Sequence, residues 1–213
     1  MKIELKNVCK SFNKNKVIKN VSMTLEGGNI YGFYGRNGTG KSVLLKIIAG
    51  LYVPTSGEVI IDGVDINKTG DYPKNMRILI EKSAFFPDIS GFENLKLLAD
   101  INKAIDEEKI LETLEIVNLI GEKNKKYCKY SLGMKQKLGI AQVIMENPDI
   151  LIFDEPFNGI EQVTVDKLTK YLLNEKKKGK LIIISTHIKE DLIKLSDEIY
   201  LFDNGLISKV KNV

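Results

Sequence analysis

The segment Gly35-Arg36-Asn37-Gly38-Thr39-Gly40-Lys41-Ser42 has the residue types and spacing to grip a phosphate chain. It fits Gly-x-x-x-x-Gly-Lys-Ser. The glycines let the backbone curl so that successive N–H groups point inward as an anion nest. Lys41 is spaced to reach β- and γ-phosphates, and the Ser42 hydroxyl to ligate Mg²⁺. The apolar run Ile30-Tyr31-Gly32-Phe33-Tyr34 precedes the segment and reads as a buried strand. Val43 to Ala49 follows it and reads as a helix, whose positive dipole end is aimed at the same point. Strand, loop and helix are the context such a motif requires. The expected ligand is a nucleoside triphosphate with Mg²⁺.

Two further groups stand where strands end. Asp154-Glu155 follows the apolar run Ile150-Leu151-Ile152-Phe153, and His187 follows Leu181 to Thr186. Ligands of open parallel sheets bind outside the carboxyl ends of the strands, so these groups should face one crevice with the loop. Asp154 suits a hold on the Mg²⁺ that Ser42 ligates. Glu155 is placed to orient or deprotonate an attacking water. His187 is the single histidine of the chain, and a lone histidine is more often structural. Phe12 offers an aromatic face to a base, although such a residue alone is more often core.

The elements that must position these residues follow the hydrophobic pattern. Ile3, Leu5 and Val8 suggest a half-buried strand, Ser22 to Glu26 another, and Asn13 to Lys16 a hairpin-like connection between them. This N-terminal antiparallel β portion is expected beside the phosphate-loop strand. Glu58 to Asp62 reads as a strand with a hairpin signal at Asp62-Gly63. Arg77 to Glu81 reads as a buried strand ending in Glu81. Phe92 to Asp100 and Asp106 to Leu119 have helical spacing. A third helix opens at Ser131 and stops before Asn147-Pro148. Gln162 to Lys178 is a helix, and Glu198 to Asp203 pairs with Leu206 to Val210 across Asn204-Gly205. The fold class is therefore α/β, with a phosphate-loop core on a mainly parallel sheet. A helical subdomain is expected over about 83–135 of a single 1–213 domain.

Bulk composition narrows the partners. Of 213 residues, 43% are hydrophobic, enough for a sizeable core, and the net charge is only +4. Arg36 and Arg77 are the only arginines. A nucleic-acid binder clusters basic residues and uses arginine, so no nucleic-acid partner is expected. The lysine-rich runs at 122–126 and 176–178 read as solvated faces. Cys9 and Cys128 are far apart and form no metal-ligand pattern. No run approaches the roughly 18 apolar residues of a membrane span, and the chain opens Met-Lys-Ile-Glu-Leu-Lys without a signal segment. A cytoplasmic protein is expected, with any membrane role supplied by a partner.

Tyr130-Ser131-Leu132-Gly133-Met134-Lys135-Gln136 lies between the phosphate loop and the Asp154 strand, and opens a helix. With it, nearly the whole chain resembles the ATP-binding subunits of ABC transporters. Within them it is most similar to subunits of bacterial peptide-antibiotic and lantibiotic exporters. The resemblance implies ATP and Mg²⁺ as ligands, gripped by Gly35, Arg36, Asn37, Gly38, Thr39, Gly40, Lys41, Ser42 and Val43. It implies adenine stacking on Phe12, and Glu81 at a loop that senses Mg²⁺ and the membrane partner. It puts Ser131 and Gly133 against the γ-phosphate of an opposite subunit. Catalytic roles fall on Lys41, on Glu155 with water, and on His187 with the γ-phosphate. Metal roles fall on Ser42, Glu81 and Asp154. The partners implied are a second ATP-binding subunit and a membrane permease, which would hold the protein at the inner face of the cell membrane.

Several positions depart from that family. Glu81 stands for the usual glutamine, so when ionised it only accepts hydrogen bonds and adds negative charge near Mg²⁺. Leu132 replaces a signature glycine, Val43 a hydroxyl residue, and Ile160-Glu161 the usual Leu-Asp. Two other readings stay open on the sequence. One is a soluble ABC ATPase, for example in iron–sulfur cluster assembly. The other is a module that senses ATP without hydrolysing it.

Overall fold

The computed structural model describes residues 1–210 except 71, 72, 74, 82 and 104, and the side chain of residue 102 also lies outside it. Strands β1 (Lys2–Phe12) and β2 (Asn15–Glu26) form a long antiparallel hairpin around a turn at 13–14. Its register shifts between Leu5 and Val8. One extra residue resets the in–out alternation, so Val8 is buried three places after Leu5 rather than two or four. The chain continues through β3 (Asn29–Tyr34) and the phosphate loop into α1 (Lys41–Ile48). β4 (Ser56–Ile61) and β5 (Val64–Asp65) then complete a four-stranded sheet of order β2-β1-β4-β5. Asp62 and Gly63 join these two strands with positive φ angles of 48° and 85°, the conformation a two-residue hairpin turn demands. A one-turn helix, α2 (Ile66–Thr69), follows. Neither β5 nor α2 has a sequence signal long enough to read.

The second sheet has six strands. β6 (Met76–Leu79) comes first in the remaining chain, followed by the helices α3 (Gly91–Asn102), α4 (Glu107–Ile116) and α5 (Leu132–Ile144). Then come β7 (Ile150–Asp154), α6 (Gln162–Lys177), β8 (Leu181–Thr186), α7 (Lys189–Ile193), β9 (Glu198–Asp203) and β10 (Leu206–Val210). The order is β10-β9-β3-β8-β7-β6, with β10 as the one antiparallel edge. β3 is thus flanked by β8 and β9, and β7 lies one strand further. β6 is shorter than the strand expected over 77–81. Glu81 lies two residues past its end at φ 64°.

The core explains why the central strands read as unbroken apolar runs. Ile150, Ile152, Leu181 and Ile183 face one cluster, shared with Leu44, Leu45, Ile47 and Ile48 of α1 and with Ile3, Leu5 and Leu25 of the N-terminal hairpin. Leu151, Phe153, Ile182 and Ile184 face the other, shared with α3 to α6. A parallel sheet covered on both faces favours apolar residues along its strands, and the buried polar exceptions in β8, Ser185 and Thr186, stand at its carboxyl end. Each fully buried large side chain contributes roughly 1.5–3 kcal/mol relative to exposure. The N-terminal hairpin was expected beside β3. β2 does pack beside β3, but within a separate sheet, and α1 touches both sheets. The elements α3, α4 and α5 pack on one another, and α5 continues past residue 135 to Ile144 to touch β6 and β7.

Candidate active site

The phosphate loop joins β3 to α1 by a path that needs glycine. Gly40 has φ 106°, and a Cβ there would lie 2.9 Å from Ile18 and 3.0 Å from the Val17 carbonyl of β2. Gly38 has φ 82° and opens on space. Inside the loop, Lys41 is 5% exposed. Its Nζ donates to the carbonyls of Gly35 at 2.6 Å and Arg36 at 3.1 Å. Burial pushes the Lys41 pKa below its ordinary value, and the charges of Glu155 and Asp154 oppose that push. Thr39 closes the loop by donating its hydroxyl to the Arg36 carbonyl at 2.9 Å.

Asp154 ends β7 between two hydroxyls. Ser42 donates to its Oδ2 at 2.5 Å, and Ser185 of β8 donates to Oδ1. The Ser185 contact follows from the parallel register, in which Asp154 pairs with Ser185. Glu155 comes next, at φ 51°, a left-handed conformation that a non-glycine residue holds only at some cost. Its amide still donates to the Ser185 carbonyl at 2.9 Å, so the strand ladder holds it while the side chain swings to the crevice. Oε2 meets His187 Nδ1 at 2.9 Å and accepts from the Asn158 amide at 3.3 Å. Oε1 is buried without a hydrogen-bond partner and lies 3.9 Å from Lys41 Nζ. A cleft of about 270 Å³ is lined by Val17, the phosphate loop, Asp154 and Glu155.

Five of the groups expected from sequence therefore meet: Lys41, Ser42, Asp154, Glu155 and His187. Asn37, Gly38, Gly40 and Val43 line the same cleft, and Gly35 and Arg36 hold Lys41; Phe12, Glu81, Ser131 and Gly133 make other contacts. Phe12 is exposed and packs edge-on against Tyr52, with ring centroids 5.7 Å apart. Glu81 pairs with Lys46 rather than with Ser42 or Asp154. Ser131 is exposed and caps α5 by accepting from the Met134 amide at 3.2 Å. A Cβ on Gly133 would fall 2.4 Å from the Gly159 carbonyl.

Sequence reasoning gave no role to the groups that brace the site, although Gln136 closes the segment that begins at Tyr130. Gln136 donates to the carbonyls of Glu155 at 3.1 Å and Pro156 at 3.3 Å. Lys137, 4% exposed, extends its ammonium to Glu161 at 2.7 Å, and this contact lowers the Glu161 pKa. Ser185 and Asn158 were also unmarked. Only the parallel register of β7 and β8 could have nominated Ser185. The i, i+3 spacing of Asn158 from Glu155 was the one local hint for it.

The sequence matches the family model described as ABC transporter over residues 18–158. The chain belongs to the ABC transporter family. It is 42% identical to the uncharacterized ABC transporter ATP-binding protein YybJ of Bacillus subtilis (strain 168), over 99% of this chain and 97% of that one. The bacitracin transport ATP-binding protein BcrA of Enterococcus faecalis is 33% identical, over 99% of this chain and 69% of its own length. The lantibiotic transport ATP-binding protein SrtF of Streptococcus pyogenes is 33% identical over 96% and 88%. A solved ATP-binding subunit of an ABC transporter superposes with a TM-score of 0.86 at 25% identity, covering 99% of this chain and 90% of that one. A solved dimeric bacterial ABC transporter cassette gives 0.85 at 25% identity, over 99% and 100%. This ABC cassette is thus an ATPase subunit of the α/β phosphate-loop class, as its motifs led one to expect.

Proposed function

We propose that this ABC cassette hydrolyses ATP at the cleft between the phosphate loop and the ends of β7 and β8. In this reading it drives a separate permease that exports peptide antibiotics or related compounds. The observation that carries the catalytic part is the meeting of Lys41, Ser42, Asp154, Glu155 and His187 at the carboxyl ends of neighbouring parallel strands. The export part rests on relatives named for bacitracin and lantibiotic transport.

The donor set fits Mg²⁺. Ser42 and Asp154 present hard oxygens in contact with each other, and Mg²⁺ takes one or two protein oxygens and leaves the rest to water and phosphate. An ion held there by Ser42 and Asp154 would supply positive charge to the phosphate chain. Lys41 exchanges two neutral carbonyls for phosphate oxygens, a stronger, charge-assisted contact. Glu155 is held through Oε2 by His187 and Asn158, which leaves Oε1 to take a proton from water. His187 donates Nδ1–H to Glu155, and as the imidazolium it also has Nε2–H to donate to the γ-phosphate. Phe12, 41% exposed, offers a face for adenine. Ser131 and Gly133 offer a helix N-terminus to the γ-phosphate held by a second copy.

No helix among the described residues is long and apolar enough to cross a membrane. Attachment to the inner face of the membrane would therefore run through the permease, at the surface near Glu81 and the 65%-exposed Phe86. Phosphate release by the purified protein tests the chemistry. Glu155→Gln should keep ATP affinity and lose turnover by about 10²–10⁴-fold. Turnover at the parental rate would remove Glu155 from its role. Co-fractionation with membranes only when a multi-span permease is co-expressed tests the transport part.

A further inference from the structure

The pair formed by Glu81 and Lys46 joins an acid just past β6 to a lysine of α1, close to the proposed cation site. Lys46 follows Ser42 by four residues in α1, so the two share a helix face about 5–6 Å apart. Glu81 reaches the same place from the sheet. In the parallel register Leu79 pairs with Phe153, the residue before Asp154, and the chain turns at Glu81 through φ 64°. Its Oε1 lies 2.5 Å from Lys46 Nζ. The lysine is held from another side as well, with Nζ 5.2 Å from the centroid of the Tyr52 ring. Tyr52 in turn meets Phe12 edge-on.

We propose that Lys46 is a positioning residue that neutralises Glu81 and holds its carboxylate one helical turn away from the Ser42–Asp154 pair. The inference rests on the ATPase reading of that pair. An unpaired carboxylate at position 81 would be a third acid beside Asp154 and Glu155. It would repel the terminal phosphate and compete for the cation. Paired with Lys46, it brings no net charge and keeps a fixed place.

Two measurements on the purified full chain test this. The first is titration of the nucleotide-free protein with Mn²⁺, followed by electron paramagnetic resonance. Lys46→Met should tighten Mn²⁺ binding by about two- to fivefold, the range for an exposed ion pair. Lys46→Met combined with Glu81→Gln should return it to the parental value. The second is ATP turnover. Lys46→Met should lower kcat/KM by a similar factor, Lys46→Arg should keep it, and the double variant should recover it. If Lys46→Met folds poorly, Glu81→Gln carries the Mn²⁺ test instead: the lysine left unpaired should weaken Mn²⁺ binding, and Lys46→Gln added to it should restore the parental affinity. Unaltered Mn²⁺ affinity in Lys46→Met overturns the inference, as does a double variant as impaired as the single one. A parent protein that binds no ATP overturns the ATPase reading instead, and the Mn²⁺ titration still decides the role of Lys46.

Discussion

Lys41 is held at a cost that ATP repays. Its ammonium is almost fully buried and bonded to two loop carbonyls, yet burial outweighs its partners and lowers its pKa. An environment that lowers a lysine pKa disfavours the charge on balance. Lys41→Met, of similar length and apolar, should therefore leave the melting temperature of the nucleotide-free protein unchanged or raise it by a few degrees. The same variant should lose the rise in melting temperature that ATP gives the parent. Thermal melts with and without ATP check both. A marked fall without ATP would mean that the two carbonyl bonds outweigh the burial cost. Lys41, Ser42 and the glycines were legible because the motif is local in sequence. Glu155 and His187 were legible as ends of apolar runs. Their mutual contact was not, since it depends on β7 and β8 being neighbours. Lys46 was hidden for the same reason: its partner lies 35 residues away.

The helix α5 and the loop 155–161 show how elements rather than residues set the geometry. Gln136 binds the Glu155 and Pro156 carbonyls, Lys137 binds Glu161, and Gly133 lies flush against Gly159. The Ser131 end of the helix is thus locked to the segment that carries the proposed base of the same chain. Gly133→Ala would drive a Cβ to 2.4 Å from a backbone oxygen, and backbone cannot yield as a side-chain tip does. The expected loss is about 1–3 kcal/mol, typical of overpacking, measured by urea unfolding. Gly121→Ala, where a Cβ meets nothing within 4 Å, should be near neutral and serves as the control. At this scale the periodic helices and the strand pair across Asn204-Gly205 were readable. The strand bounds were less so: β1 runs on to Phe12 because hairpin pairing extends it past the apolar alternation. The two-residue β5 and the single turn of α2 owe their existence to packing against β4, and no pattern that short has a period to detect.

At the scale of the whole molecule, the surface around Ser131 is shaped for a partner. Leu132 is 67% exposed and Val163, at the start of α6, is 60% exposed, although the chain has ample core for large apolar groups. An exposed apolar side chain in the first turn of a helix suits contact with another protein surface. In the proposed function that surface is the phosphate loop of a second copy, and ATP is the bridge. Leu132→Glu would put an acid in the path of the γ-phosphate of that copy. ATP binding to the single protomer should survive, because the Lys41 side of the cleft is untouched. ATP-induced dimerisation should not. The clean comparison is made in the Glu155→Gln background, where hydrolysis cannot dissolve the dimer. Light scattering should give a dimer mass for Glu155→Gln with ATP and a monomer mass once Leu132→Glu is added, with turnover in the parent background falling at least about tenfold. A dimer that persists through Leu132→Glu would place the two-copy contact elsewhere on the molecule. The positions of Ser131 and Gly133 would then be explained by their packing within one chain alone.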